Sequence, residues 1–222
     1  MPPGVRPLIT VSGMCSGVGK TTLVELLIRR LAPIAALKVT VVDSGVHGCP
    51  IDRECGVCSA LTVPFRVLVE KPPRAGGAAR KDTQRYAAAG AGPVVWVQTR
   101  GSDLDSALAA GLAAVGPGSG GVVLEGNTPV PRLAPDLALL VDRPERREIK
   151  PSAHALRAMP RSIDWIVLNR PRGTGAGAVS VARRDLEARW PGVEILDMDL
   201  AAPGSAGDRC LEMLAHHCGR AR

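Results

Sequence analysis

The segment Gly13-Met14-Cys15-Ser16-Gly17-Val18-Gly19-Lys20-Thr21-Thr22 lies between an apolar run, Pro7 to Val11, and an amphipathic stretch, Lys20 to Leu31. Glycines packed this closely between a strand and a helix specify a loop whose backbone curls around an anion. Gly13, Gly17 and Gly19 permit positive φ and close approach, so that successive N–H groups face phosphate oxygens, and the N-terminus of the following helix adds its dipole. Lys20 is placed to reach the terminal phosphates and Thr21 to put a hydroxyl on Mg2+, with Ser16, Val18 and Thr22 completing the cradle. The expected ligand is therefore a nucleoside triphosphate with magnesium. A strand, a phosphate loop and a helix in immediate succession also commit the chain to an α/β architecture.

The rest of the chain continues that theme, with short Val-, Ile- and Leu-rich runs alternating with Ala-, Leu- and Arg-rich helical segments. The pattern predicts strands at Pro7–Val11, Leu37–Val42, Phe65–Glu70, Pro93–Gln98, Gly121–Glu125, Leu137–Val141, Ile163–Leu168 and Val193–Leu196. It predicts helices at Lys20–Leu31, Lys81–Ala89, Leu104–Val115, Ser152–Ala158, Val179–Trp190 and Ala206–His217. The expected fold is a doubly wound, mostly parallel sheet with helices on both faces, whose ligands lie beyond the carboxyl ends of the strands. Only 2% of residues are aromatic, so an aliphatic core is required, as suits the buried strands of a parallel sheet. The 222 residues suit one domain, 1–222, with a cysteine-rich loop inserted at about 44–60.

That loop contains His47, Cys49, Cys55 and Cys58. Cys55-x-x-Cys58 is a spacing that lets two thiolates grip one ion, and Cys49 and His47 could complete four ligands. Tetrahedral Zn2+ and an iron–sulfur cluster held by three cysteines both satisfy the donor set, and a transient dithiol is the alternative.

Three further residues stand at strand ends, where an open sheet places its chemistry. Asp43 and Glu125 join Lys20 as catalytic candidates, able to position magnesium or the attacking water, or else to serve as solvated loop carboxylates. Asn169 reads as a turn former before Pro171 or, since it resembles the asparagine that meets the nucleotide base in other P-loop proteins, as a contact to the base. No aspartate follows it two residues later, which leaves guanine and adenine both open.

A formal net charge of +7 raises the question of nucleic acid, but the basic residues are scattered and aromatics for base stacking are few. Polyphosphate accounts for the charge equally well, and nucleic acid is not the expected partner. The N-terminus has no secretory pattern and no apolar run approaches a membrane span, so the expected location is cytoplasmic, with cysteines reduced.

The five-residue spacing between Gly13 and Gly19 resembles the deviant phosphate loop of dethiobiotin synthetase and the cobyrinate synthetases. Lys81-Asp82-Thr83-Gln84-Arg85-Tyr86, followed by Ala89-Gly90-Ala91, is similar to a stretch of MobB, a P-loop family associated with molybdopterin guanine dinucleotide synthesis. Leu124-Glu125-Gly126 resembles that family's Val-Glu-Gly. The MobB resemblance implies GTP or ATP hydrolysis in aid of metal-cofactor assembly, a cofactor-biosynthesis enzyme as partner, and a homodimer. Resemblance to the synthetases implies instead phosphorylation of a small carboxylate. A non-catalytic nucleotide-binding metal sensor or scaffold is the third reading.

Overall fold

The computed structural model describes residues 7–42, 61–71, 81–145, 148–159 and 163–220. Eight strands form one sheet: β1 (Leu8–Gly13), β2 (Ala35–Val42), β3 (Phe65–Val69), β4 (Val94–Arg100), β5 (Val122–Glu125), β6 (Leu137–Asp142), β7 (Trp165–Asn169) and β8 (Glu194–Met198). Among the described residues there are six α-helices: α1 (Lys20–Leu31), α2 (Asp82–Ala88), α3 (Leu104–Val115), α4 (Pro151–Arg157), α5 (Ala176–Arg189) and α6 (Gly204–Arg220). Each corresponds to a segment expected from the apolar periodicity.

The strand order is β3-β4-β2-β5-β1-β6-β7-β8. All neighbours are parallel except β3, which runs antiparallel to β4 at one edge. An edge strand has a single neighbour in its sheet, so a reversed strand is accommodated there without breaking the parallel ladders inside. The strand β1 lies between β5 and β6, and the chain winds outward from it in both directions. That reversal opens a crevice at the carboxyl end of β1, where the glycine loop begins.

Alternation along the strands sends side chains to two separate helical layers. Ile9, Val11, Ala36, Val123, Leu139 and Val167 pack with Leu23, Leu27 and Ile28 of α1, Tyr86 of α2, and Leu211 and Leu214 of α6. On the opposite face, Leu37, Val97 and Leu124 meet Leu104, Ala107 and Leu108 of α3. Leu140, Ile166 and Leu168 meet Ala153 and Leu156 of α4 and Val179, Ala182 and Leu186 of α5. Both faces of the central strands are thus covered, which is why their sequences read as continuous apolar runs. No described helix is long and apolar enough to cross a membrane.

Candidate functional site

The glycine loop leaves β1 at Gly13 and enters α1 at Lys20. Gly17 and Gly19 have φ of +73° and +110°, the left-handed region glycine adopts without strain. Gly13 serves through closeness rather than φ: a Cβ there would stand 2.7 Å from Lys20 Cδ and 2.9 Å from Val18 Cγ2. The Lys20 stem therefore lies across Gly13, and its Nζ donates to the Cys15 carbonyl at 3.0 Å. Burial holds the Lys20 ammonium below the ordinary lysine range; Glu125 opposes this, while Lys150 and Lys38 add to it.

The loop is braced from two sides. Asn127, just past β5, accepts from the Gly13 N–H at 2.9 Å and donates to the Gly13 carbonyl at 2.9 Å, so one side-chain amide pairs with both polar groups of that residue. Asn169, ending β7, donates from Nδ2 to the Val18 carbonyl at 2.8 Å and accepts from the Leu200 N–H at 3.1 Å. Both ends of the Asn169 amide are therefore engaged with backbone, tying the phosphate loop to the segment after β8.

Beside Thr21 the structure gathers charge from three other elements. Glu125, at the carboxyl end of β5 and only 6% exposed, accepts from the Thr21 hydroxyl at 3.4 Å. It also contacts the hydroxyl of fully buried Tyr86. Lys38 of β2 pairs with Glu125 at 3.5 Å and with Asp82, the first residue of α2. Burial pushes the Asp82 carboxyl up, but the Lys38 charge and its hydrogen bond outweigh it. With the Thr21 hydroxyl and Arg85 they hold the carboxyl below its ordinary value. Arg85 fixes α2 against α1 through a two-pronged contact with Glu25 at 2.9 and 2.7 Å. Thr83 ties α2 to the end of β3 by donating to Glu70 at 2.7 Å.

A cavity of about 360 Å³ lies beyond β7 and β8, lined by Arg170, Arg172, Thr174, Asp197, Asp199 and Pro203 among others, with no lining residue from the glycine loop. Its size lies in the range of small-ligand sites, and its lining begins at Arg170, the residue after Asn169.

The structure thus brings together Gly13, Ser16, Gly17, Val18, Gly19, Lys20, Thr21 and Thr22 with Glu125 and Asn169. Asp43 and the cysteine loop with His47, Cys49, Cys55 and Cys58 lie outside the described residues. Among the described residues no group of three His, Cys, Asp or Glu side chains is arranged to hold an ion. The donors at the loop are two carboxylates and a hydroxyl, a hard-oxygen set that suits Mg2+ because magnesium keeps other positions for water and phosphate.

Lys38, Asp82, Tyr86, Asn127 and Lys150 are not among the expected site residues, although Asp82 and Tyr86 lie in the stretch similar to MobB. Lys38 carried a signal, a lysine inside an otherwise apolar strand, and Tyr86 is the only tyrosine, one helical turn from Asp82. Asn127 and Lys150 have no local signature.

The strand, loop and helix at the centre of a mostly parallel sheet define the class of fold as α/β of the P-loop kind. In comparisons with known proteins, no family model and no curated protein matches the chain.

Proposed function

We propose that this protein binds a nucleoside triphosphate with magnesium and transfers its terminal phosphoryl group to water, serving a metal-cofactor assembly process. The observation that carries the reading is the convergence of Lys20 and Thr21 from the loop with Asp82 and Glu125 from separate elements. Loop N–H groups and Lys20 would hold the phosphates, and Lys20 would exchange its bond to the Cys15 carbonyl for one to phosphate oxygen. Thr21, Asp82 and Glu125 would hold magnesium, which when bound neutralises charge that builds on the phosphate oxygens during transfer. Glu125, fastened by Tyr86, would also orient a water molecule. The nucleoside would occupy the cavity past β7 and β8.

Its role in cofactor assembly rests on the MobB-like motifs, and the cysteine loop would supply a zinc or iron–sulfur site in a reduced, cytoplasmic setting. The test is calorimetric titration of the purified chain with ATP and with GTP, each with and without Mg2+, followed by a phosphate-release assay. Binding that requires magnesium and slow basal release are expected. Failure to bind either nucleotide refutes the reading.

One observation favours a second reading, in which the phosphoryl acceptor is a small carboxylate. The Lys38 ammonium faces the same centre and could orient an anionic acceptor there. Phosphate release strictly dependent on an added small acid would select this synthetase-like chemistry over hydrolysis.

A further inference from the structure

The segment that opens α4 is built against the phosphate loop. The Lys150 N–H donates to the Met14 carbonyl at 2.9 Å, and the Lys150 carbonyl accepts from Ala153 and His154 of α4 at 2.9 and 3.1 Å. Ser152, two residues on, accepts from Asn127 Nδ2 at 3.2 Å, and that same amide holds Gly13. Pro151 at the first turn of α4 sets the backbone angle for a helix start. The Lys150 main chain is therefore pinned on both sides.

Its side chain is not. Lys150 is exposed, and among the described residues its ammonium forms no ion pair. Its charge, like that of Lys38, helps to hold the Lys20 ammonium below the ordinary lysine range. Three lysines thus gather at one glycine loop: Lys20 at its end, Lys38 on β2, and Lys150 just before α4 with its main chain bonded to Met14. Lys38 is neutralised by Asp82 and Glu125, whereas Lys150 has no ion-pair partner among the described residues. Like charges gathered at one point are unfavourable unless an anion joins them, and a polyphosphate in the loop is such an anion. A lysine's long flexible stem lets the head move to that anion while the backbone stays fixed.

We propose that Lys150 is a second phosphate-binding cation, supplied by the same chain from the start of α4, which closes onto the terminal phosphate of the triphosphate held by the loop. This rests on the nucleotide reading of the loop and adds a residue outside its motif. Lys150 would distinguish triphosphate from diphosphate, because the loop N–H groups satisfy the inner phosphates and Lys150 would add a second cation, beside Lys20, at the terminal one.

The experiment uses the full chain, a fluorescent non-hydrolysable triphosphate and the matching diphosphate, with Mg2+, and reads Kd by titration. Lys150→Met and Lys150→Gln are compared with Lys150→Arg and with Arg157→Met, which removes one exposed charge from the same helix. Lys150→Met and Lys150→Gln are expected to raise the triphosphate Kd about tenfold, the loss of one charge-assisted hydrogen bond, and to leave the diphosphate Kd within about twofold. Lys150→Arg should recover most of the affinity, and Arg157→Met should match wild type. Unchanged triphosphate binding in Lys150→Met, or an equal loss for both nucleotides, overturns the role of Lys150 while leaving the loop reading intact. A wild-type chain that binds neither nucleotide overturns both together.

Discussion

Lys38 and Glu125 are register partners on the adjacent parallel strands β2 and β5, and their side chains meet at 3.5 Å beside the Thr21 hydroxyl. The lysine thereby stands between Glu125 and Asp82, compensating two carboxylates that would otherwise repel one another. Replacing it with an isosteric apolar chain, Lys38→Met, should lower the stability of the nucleotide-free protein by about 2 kcal/mol. Millimolar Mg2+ should restore part of that loss, since the uncompensated carboxylates then bind the ion more tightly. Urea denaturation with and without Mg2+ measures both effects, and a variant as stable as wild type in EDTA would contradict the compensating role.

The Thr21 hydroxyl touches Glu125 and interacts with Asp82. Thr21→Val keeps the shape of the helix start and removes the oxygen. We expect the Kd for triphosphate measured with Mg2+ to rise by at least about tenfold, as losses around metal sites commonly do. The weaker affinity measured in EDTA should scarcely change. Equal losses in both conditions would mean that Thr21 supports the loop rather than the ion.

Asn127→Ala strips the Gly13 peptide groups of their two side-chain partners in a buried position. The expected cost is about 2 kcal/mol in equilibrium denaturation, together with weaker nucleotide binding, because the loop loses the brace at its entrance. Asn127→Asp, which keeps the acceptor for the Gly13 N–H but loses the donor, should fall between. A cost below about 0.5 kcal/mol for the alanine variant would show that water replaces the amide without loss.

The carboxyl of Asp82 is held below its ordinary value, so the folded state binds its proton more weakly than the unfolded chain does. Its contribution to stability is present above the unfolded pKa and is lost as pH falls through the lower folded value. The advantage of wild type over Asp82→Asn should accordingly be full above about pH 5 and shrink below about pH 4. Parallel denaturation curves in EDTA across that range check the sign. An advantage that grows on acidification would contradict it.

Much of the fold is legible in the sequence because its causes are local. Ile9 and Val11 share one apolar face of a central strand, and Leu23, Leu27 and Ile28 recur at helical spacing on α1. Gly17 and Gly19 mark the only part of the loop that needs positive φ. Expected and observed elements differ by a few residues at their ends, as with β2, which begins at Ala35 rather than Leu37. Composition pointed to a mostly parallel sheet; the reversed sense of β3 was not legible, since an edge strand of the same apolar character pairs in either direction.

The site is legible only where its residues are neighbours in the chain. Gly13 to Thr22 mark a glycine-rich strand-to-helix loop by themselves, and Glu125 stood out because it ends a strand. Which side chains surround Thr21 follows from strand order and register. Lys38 meets Asp82 across 44 positions, Tyr86 meets Glu125 across 39, and Asn127 meets Gly13 across 114. The sequence by itself determined the succession of strands and helices and the glycine loop between β1 and α1, because φ preferences and apolar periodicity act within a few residues. Only the tertiary structure decided that Lys38, Asp82, Tyr86, Asn127 and Lys150 would stand around that loop. Packing of helices on a sheet sets those contacts, and nothing in the spacing of distant residues encodes them.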